Sequence, residues 1–470
     1  MRVARLELND IGPFEDAVFE IPEPKGQGEL VLFEGPNGSG KTTIVQAIAC
    51  ATFPSVEAHP AVDTVHRLGG ELGLAPPIRE IRQRIRRSSP GRAAVRLGIE
   101  ADNVRSFVHI TDDDDADRWE SAGLASALIG RLADNAVVQV HPLTWAAFAY
   151  RAHHASTGLA TAGPREIDDS PLSGALSFGE FMPESKLLGQ LLANFENERT
   201  KALAYASERA DEARRLDLSR VAESRQEAIR RFERVFSKVL GRRTTIEFSV
   251  DRQAPTILFD GEPIPLELMG EGLRSTMAWL SDLLVRLERV RWADTTRSPV
   301  DQDFWLILDE IDESLHPTMQ ARILPAVREL FPNARIYATT HSPFVVASAA
   351  EGVVFPIRPD KHHRVRGKVE PRELEPGQSL EWVVTEIFDA QAGFVDERTR
   401  DLLVDHKRDV RRFERTGDID WDAFFARRAE LMTLNDEVRT VVAMQEVPVR
   451  LEVDRRMLER AEAREPGVDA

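Results

Sequence analysis

The stretch "ELVLFEGPNGSGKTTIVQAIAC", Glu29 to Cys50, constrains the fold of this 470-residue chain more than any other. It opens with a short apolar run that reads as a strand buried on both faces, and closes with an apolar run at helical spacing. Between them lies a glycine loop, Gly35, Pro36, Asn37, Gly38, Ser39 and Gly40, followed by Lys41, Thr42 and Thr43. Glycines let backbone N–H groups converge on one point, and the start of the helix adds its partial positive charge there. That is a site built for phosphate groups.

The spacing fits G-x-x-x-x-G-K-[ST] after a strand and before a helix, the context that gives this motif meaning. It predicts a P-loop α/β fold binding ATP, with Lys41 a point charge on the β- and γ-phosphate oxygens and the Thr42 hydroxyl a ligand of Mg²⁺. "FWLILDEIDESLHP" supplies a second strand that ends in acid. Asp309 is placed to hold the Mg²⁺, and Glu310 to orient and deprotonate an attacking water. "ATTHSPF" ends a further apolar strand in His341, on the edge where ligands bind in parallel sheets. His341 is expected to bond the γ-phosphate, whereas His316 in "SLHP" reads as a structural or interface residue.

A fourth segment, "ELMGEGLRSTMAWLSDLL", enters a long apolar-periodic helix through a Gly-Glu-Gly turn. Met277, Leu280 and Leu284 mark its core face. Gly270, Glu271 and Gly272 present backbone amides at the helix start, where an anion can be bound.

Along the chain, residues 1–185 read as a first ATPase lobe, with "AAVRLGIE" and "SFVHIT" alternating like strands of an antiparallel side sheet. Residues 186–240 read as a short helical insertion, in which Ile229, Phe232, Val235, Phe236 and Val239 keep helical spacing. Even as one helix it would reach only roughly 80 Å, too short for a long coiled-coil arm. Residues 241–352 form a second lobe, opened by "PTILFDGEPI" with its Asp-Gly turn signal. Residues 353–470 read as a mainly helical extension after one strand-like piece, "GVVFPI", and a basic loop, "RPDKHHRVRGK".

Taken together, "GPNGSGKTT", "ILDEIDESLHP" and "TTHSP" resemble the Walker A, Walker B with D-loop, and H-loop of ABC-type ATPases of the SMC/RecF/OLD-like group. The resemblance covers residues 1 to about 55 and 245 to 350. It implies an SMC-head-type fold with a mixed sheet, and a homodimer or higher homo-oligomer that closes around ATP-Mg²⁺. "MGEGLRS" falls where that family carries its signature motif, which touches the γ-phosphate held by the other subunit. Gly270 stands where the family has a serine. A hydroxyl contact is thereby lost and the backbone amides of Gly270, Glu271 and Gly272 remain, which implies slower hydrolysis or weaker dimerisation. Gln139 is the candidate by position for the family's Q-loop glutamine, and "AFAYRAHH" around Tyr150 and Arg151 resembles a segment of the same group to which no role is assigned.

Layout narrows the biology. Nothing after Ser348 shows the glutamate and Asp-x-Asp pairing of the nuclease domain that OLD proteins carry. No CxxC exists for a zinc hook, because Cys50 is the single cysteine. The arrangement most resembles the stand-alone ATPases of bacterial antiphage systems of the Septu kind, whose nuclease is a separate protein. An ATPase acting as sensor or regulatory subunit beside a nuclease or other effector is therefore expected. The alternative is a RecF-like repair clamp that binds DNA, with Arg79, Arg82, Arg84, Arg86 and Arg87, or Arg214, Arg215, Arg230 and Arg231, as its contacts. Against it stand a formal charge of −17 and the tendency of such charge runs to be solvated faces. No apolar run long enough to span a membrane occurs and the N-terminus lacks a signal-peptide pattern, so a cytoplasmic protein is expected.

Overall fold

The computed structural model describes residues 1–26, 28–50, 94–110, 118–119, 124–137, 141–151, 172, 175–176, 230–247, 256–263, 269–388, 396–434 and 436–462. In chain order its elements are β1 (Arg2–Ile11), β2 (Phe14–Glu20), β3 (Glu29–Glu34), α1 (Lys41–Cys50), β4 (Val95–Ala101), β5 (Val104–Ile110), β6 (Arg118–Trp119), α2 (Leu124–Val137) and β7 (Ala146–Arg151). After a helical stretch at 230–240 come β8 (Thr244–Glu247), β9 (Thr256–Phe259), β10 (Glu262–Pro263), α3 (Glu271–Arg289), β11 (Phe304–Asp309), α4 (Pro317–Leu330), β12 (Arg335–Thr340) and α5 (Pro343–Ser348). The series ends with β13 (Gly352–Pro356), β14 (Val365–Val369), β15 (Arg372–Leu374), α6 (Glu397–Thr416), α7 (Trp421–Met432), α8 (Asp436–Glu446) and α9 (Arg450–Glu462).

Met1–Gln378 form one compact unit and Ser379–Ala470 another. In the first, the core sheet runs in the order β15-β13-β3-β12-β11-β7. All its pairs are parallel except β13 with β15. The central strands are buried along their whole length, which is why their sequences are continuous apolar runs with no alternation. Strand β12 lies between β3 and β11, so the strand ending in the glycine loop and the strand ending in Asp309 are two places apart.

The side sheet has the order β14-β2-β1-β4-β5-β6 and is antiparallel apart from β14, which runs parallel to β2. It meets the core sheet through aromatic rings. Phe19 of β2 lies edge-on to Phe33 of β3 and Phe355 of β13, at centroid distances of 6.0 and 5.5 Å. Each such buried ring contributes on the order of 2–3 kcal/mol from burial alone. A small third sheet, β10-β9-β8, turns at Asp260-Gly261, both with positive φ, as the Asp-Gly signal requires.

Strands β14 and β15 lie in the stretch the sequence suggests is a basic loop leading to helices. Of the insertion, only 230–240 falls among the described residues. There Phe232, Val235, Phe236 and Val239 are buried, as their spacing suggests. Cys50 is buried on α1.

In the second unit, α6, α7 and α8 pack around Leu403, Leu431, Val438 and Val442, and a second cluster joins Val410, Phe424, Val449 and Val453. Buried among them, Glu446 accepts from Arg428 Nε at 2.8 Å and pairs with His406 Nε2 at 3.0 Å. Among the described residues no helix is long and apolar enough to cross a membrane.

Candidate functional site

Three strand ends and two loops converge at the carboxyl edge of the core sheet. The glycine loop leaves β3 at Glu34 and wraps onto α1. A side chain at Gly35 would lie 2.7 Å from Ser39 Oγ and 2.8 Å from the Ile357 carbonyl oxygen. Gly40 has φ +95°, and a Cβ there would lie 2.5 Å from the Phe14 ring. Both positions admit only glycine, the first for space and the second for space and backbone conformation. Gly38, also at positive φ, has nothing within 4 Å of where its Cβ would be. Ser39 Oγ is buried without a hydrogen-bond partner in the structure.

Lys41 Nζ donates to the carbonyl oxygens of Gly35 at 2.7 Å and Pro36 at 3.1 Å. Burial lowers its pKa, partly opposed by the carboxylates of Glu310, Glu34 and Asp309. The ammonium is thus held inside the loop, aimed at the space its amides enclose. Glu34 sits under the loop, paired with Arg358 at 2.7 Å, and burial raises its pKa despite that pairing.

Thr42 and Asp309 meet across 267 residues of sequence: Thr42 Oγ1 donates to Asp309 Oδ1 at 3.2 Å. The same oxygen accepts from Thr339 Oγ1 on β12 at 2.8 Å, while the other, Oδ2, lies 3.5 Å from Arg151 Nε at the end of β7. Burial raises the Asp309 pKa, and the two threonine bonds and Arg151 oppose that rise. A hydroxyl and a carboxylate side by side at the lip of a phosphate loop are the hard oxygen donors that suit Mg²⁺. The donor set therefore fits the metal.

Glu310 follows at φ +58°, a left-handed conformation that a non-glycine residue adopts at a cost of order 1–3 kcal/mol. Its N–H donates to Thr339 Oγ1 at 2.6 Å, which holds the turn, and its carboxylate stands 3.7 Å from His341 Nε2. Both side chains are about one-third exposed and open to the crevice. The His341 N–H donates to both carboxylate oxygens of Asp312, at 3.2 and 3.3 Å, so the loop after β11 fixes the loop after β12. His316 caps α4, accepting from the Thr318 N–H at 3.3 Å, which gives it a structural role.

The turn from Gly270 to Gly272 lies at the start of α3. Gly270 is the cap, with φ −59° and ψ 148°, and nothing lies within 4 Å of where its Cβ would be. Gly272 differs sharply. A Cβ there would lie 2.3 Å from the Ser314 carbonyl oxygen and 3.0 Å from Leu315 N. The helix start therefore packs backbone to backbone on the loop that follows Glu310 in the same chain. Met277, Leu280 and Leu284 are buried, as their spacing suggests.

Two residues of this site carry no role in the sequence reading: Arg151, noted only as part of a recurring segment, and Thr339, in "ATTHS". Their signal is position, since each sits at or next to the end of a buried parallel strand flanking β11. Gln139 lies outside the described residues, as do Arg79, Arg82, Arg84, Arg86, Arg87, Arg214 and Arg215. Arg231 is described, and it donates to Asp301 Oδ1 at 2.8 Å.

Parts of the chain match known sequence families. A family model for an AAA domain, whose description couples it to AbiEii toxin and type IV TA systems, matches residues 186–347, and a second AAA-domain model matches residues 5–130. The chain is 28% identical over 136 residues to the Septu protein PtuA of Bacillus thuringiensis, a stretch covering 29% of this chain and 34% of that protein. It is 24% identical over 139 residues to the Retron Ec83 probable ATPase of Escherichia coli, covering 30% of this chain and 24% of the relative. It is also 30% identical over 93 residues to the Retron Vc95 probable ATPase of Vibrio cholerae, covering 20% and 18%. The matched stretches thus span 34% or less of each relative's own length.

Among solved structures, an SMC head bound to the C-terminal winged-helix domain of ScpA aligns with 80% of this chain and 98% of its own, at 14% identity and a TM-score of 0.42. The SMC head domain from Thermotoga maritima aligns with 80% and 100%, at 15% identity and a TM-score of 0.37. One AAA-domain match falls on the stretch that holds the glycine loop, and the other on the stretch that holds Gly270, Asp309, Glu310 and His341. The chain thus carries AAA-domain sequence over residues 5–130 and 186–347 and is similar, over part of their length, to the Septu protein PtuA and the retron probable ATPases.

Proposed function

We propose that the chain hydrolyses ATP in a homodimer whose two sites are each completed by the partner subunit, and that it serves as the sensor or regulatory subunit of an antiphage complex with a separate nuclease. The observation that carries the catalytic part is the meeting of Thr42 with Asp309 at 3.2 Å, beside Glu310 and His341. Thr42 and Asp309 would hold Mg²⁺, which neutralises charge on the phosphate oxygens when bound. Gly38, Ser39 and Gly40 present their amides to the phosphate groups, and Lys41 adds its charge. Glu310 accepts the proton of the attacking water, and His341, 3.7 Å from it, is placed to bond the γ-phosphate and the same water.

The trans contact falls to the helix start at Gly270, Glu271 and Gly272. Nothing lies within 4 Å of where a Gly270 Cβ would be, whereas Gly272 packs closely on the Ser314 backbone of its own chain. The antiphage role rests on the likeness to Septu and retron proteins, and a cytoplasmic location follows from that role. The DNA-clamp alternative receives less support, because the formal charge is −17 and the similar sequences are Septu and retron proteins.

The test is Glu310→Gln followed by gel filtration with light scattering in Mg²⁺ and ATP. A stable ATP-bound dimer is expected, while a variant that binds ATP yet remains monomeric at all concentrations would overturn the shared-site reading. Co-purification from the native host with a nuclease, weakened or strengthened by ATP, tests the regulatory role. Association with DNA alone would favour the clamp.

A further inference from the structure

Both Asp309 oxygens face other groups of the chain. Thr42 and Thr339 hydroxyls occupy Oδ1, and Arg151 faces Oδ2 at 3.5 Å. The pairing is built into the sheet: Asp309 and Arg151 are register partners on adjacent parallel strands, so their side chains stand on one face. Whatever cation Asp309 takes up must share the carboxylate with a guanidinium that the backbone places there.

The preceding residue points the other way, as successive strand residues do. Tyr150 OH donates to Asp282 Oδ2 at 2.8 Å, and the same oxygen accepts from Arg286 Nε at 2.6 Å. Both partners belong to α3, and the Tyr150 ring lies 5.9 Å from that of Trp279 on the same helix. Tyr150, Asp282 and Arg286 are each no more than 6% exposed. A buried ion pair returns little net stability over an apolar core of the same shape, but it fixes a single arrangement of the groups that satisfy it. Here the arrangement fixed is the seat of the helix that begins at Gly270 against the strand that ends at Arg151.

We infer that Arg151 is a positioning residue that sets how strongly Asp309 takes a divalent cation, and that the Tyr150–Asp282–Arg286 cluster makes this setting depend on the placement of α3. The inference rests on the ATP-Mg²⁺ reading above. It adds a link within one chain between the face offered to a partner's nucleotide and the chain's own metal carboxylate. A shift of α3 on dimerisation would move Arg151 relative to Asp309, and so tie metal affinity to assembly.

The experiment is a Mg²⁺ titration of the binding of a fluorescent ATP analogue to the full chain. Removing a cation so close to the carboxylate in Arg151→Ala should lower the half-saturating Mg²⁺ concentration by about tenfold. Arg151→Gln, which keeps most of the side-chain volume, should do the same, and Arg151→Lys, which keeps the charge, should stay near wild type. Tyr150→Phe should shift the value in the same direction by less, with its unfolding temperature near that of wild type. If neutral variants at Arg151 need as much Mg²⁺ as wild type or more, the role assigned to Arg151 is overturned. If Tyr150→Phe titrates as wild type, the link to α3 is overturned. Failure of the wild-type chain to bind the analogue at any Mg²⁺ concentration would instead overturn the ATP reading on which both depend.

Discussion

Replacing Gly272 by alanine tests the packing on which the site rests. The new Cβ would lie 2.3 Å from Ser314 O, 2.5 Å from Ser314 C and 3.0 Å from Leu315 N, all backbone atoms. Carbon needs about 3.5 Å from such neighbours, so the start of α3 and the loop after Glu310 must part by roughly 1 Å. The loop has little slack, since Ser314 is itself held at φ +58°. Overpacking of this kind costs about 1–3 kcal/mol, offset by up to ~1 kcal/mol that alanine gains over glycine in a helix. A net loss of about 1–2 kcal/mol is expected, read as a fall of a few degrees in Tm of the full chain. Hydrolysis should fall further than stability, because the displaced loop is the one that presents Glu310. Gly270→Ser is the matched control: serine suits a helix cap and meets no atom within 4 Å, so Tm should hold within about 1 kcal/mol of stability. Under the shared-site reading it should also speed hydrolysis, by restoring the hydroxyl that the family carries. Gly272→Ala melting and hydrolysing like wild type would refute the close approach, and with it the cis packing of α3 on that loop.

Three further outcomes are expected. Gly40→Ala, strained at φ +95° and in collision with Phe14, should cost at least about 2 kcal/mol by denaturant midpoint, whereas Gly38→Ala, strained but unobstructed, should cost about 1 kcal/mol. Burial holds the Asp309 pKa above its ordinary 3.8, so Mg²⁺-dependent nucleotide binding should fail on acidification at a pH above that value, a limb that Asp309→Asn removes by abolishing metal dependence. The same shift favours the folded chain at low pH and is lost as pH rises through the raised pKa, so in a melting series this group opposes stability at neutral pH. In the C-terminal unit, burial would raise the Glu446 pKa, but His406 and Arg428 overcome it and hold the carboxyl below its ordinary 4.5. Its stabilisation is therefore present above that value and lost as pH falls through the lowered pKa. Glu446→Ala should cost that unit about 3 kcal/mol, measured as lost amide-exchange protection over 397–462.

What the sequence makes legible is what is local to it. The glycine loop, the acids closing "FWLILDE" and the His341 turn each pair a buried strand with chemistry at its carboxyl end, so periodicity finds the strand and residue type finds the site. Arg151 escapes that reading because its partner is chosen by strand register, which no short window contains. Strands β14 and β15 escape because edge strands are largely exposed. "VRGKV" buries only its first valine, and its charges give no two-residue alternation of apolar side chains. The charged pair Asp282–Arg286 has i,i+4 spacing, and its burial follows from where β7 lies. Gly270 and Gly272 share one sequence role and part company only where neighbouring backbone is seen.

The path of the chain after β13 bears on how the protein can vary. From Pro356 the polypeptide leaves the core sheet, adds β14 to the side sheet, and returns to add β15 beside β13. It works as a stitch through both sheets, finished at Gln378, where the first compact unit ends. The seam makes 378 a natural point of exchange. A cut a dozen residues earlier would take a strand from each sheet. Among the described residues every strand of both sheets lies ahead of that seam, and only helices follow it.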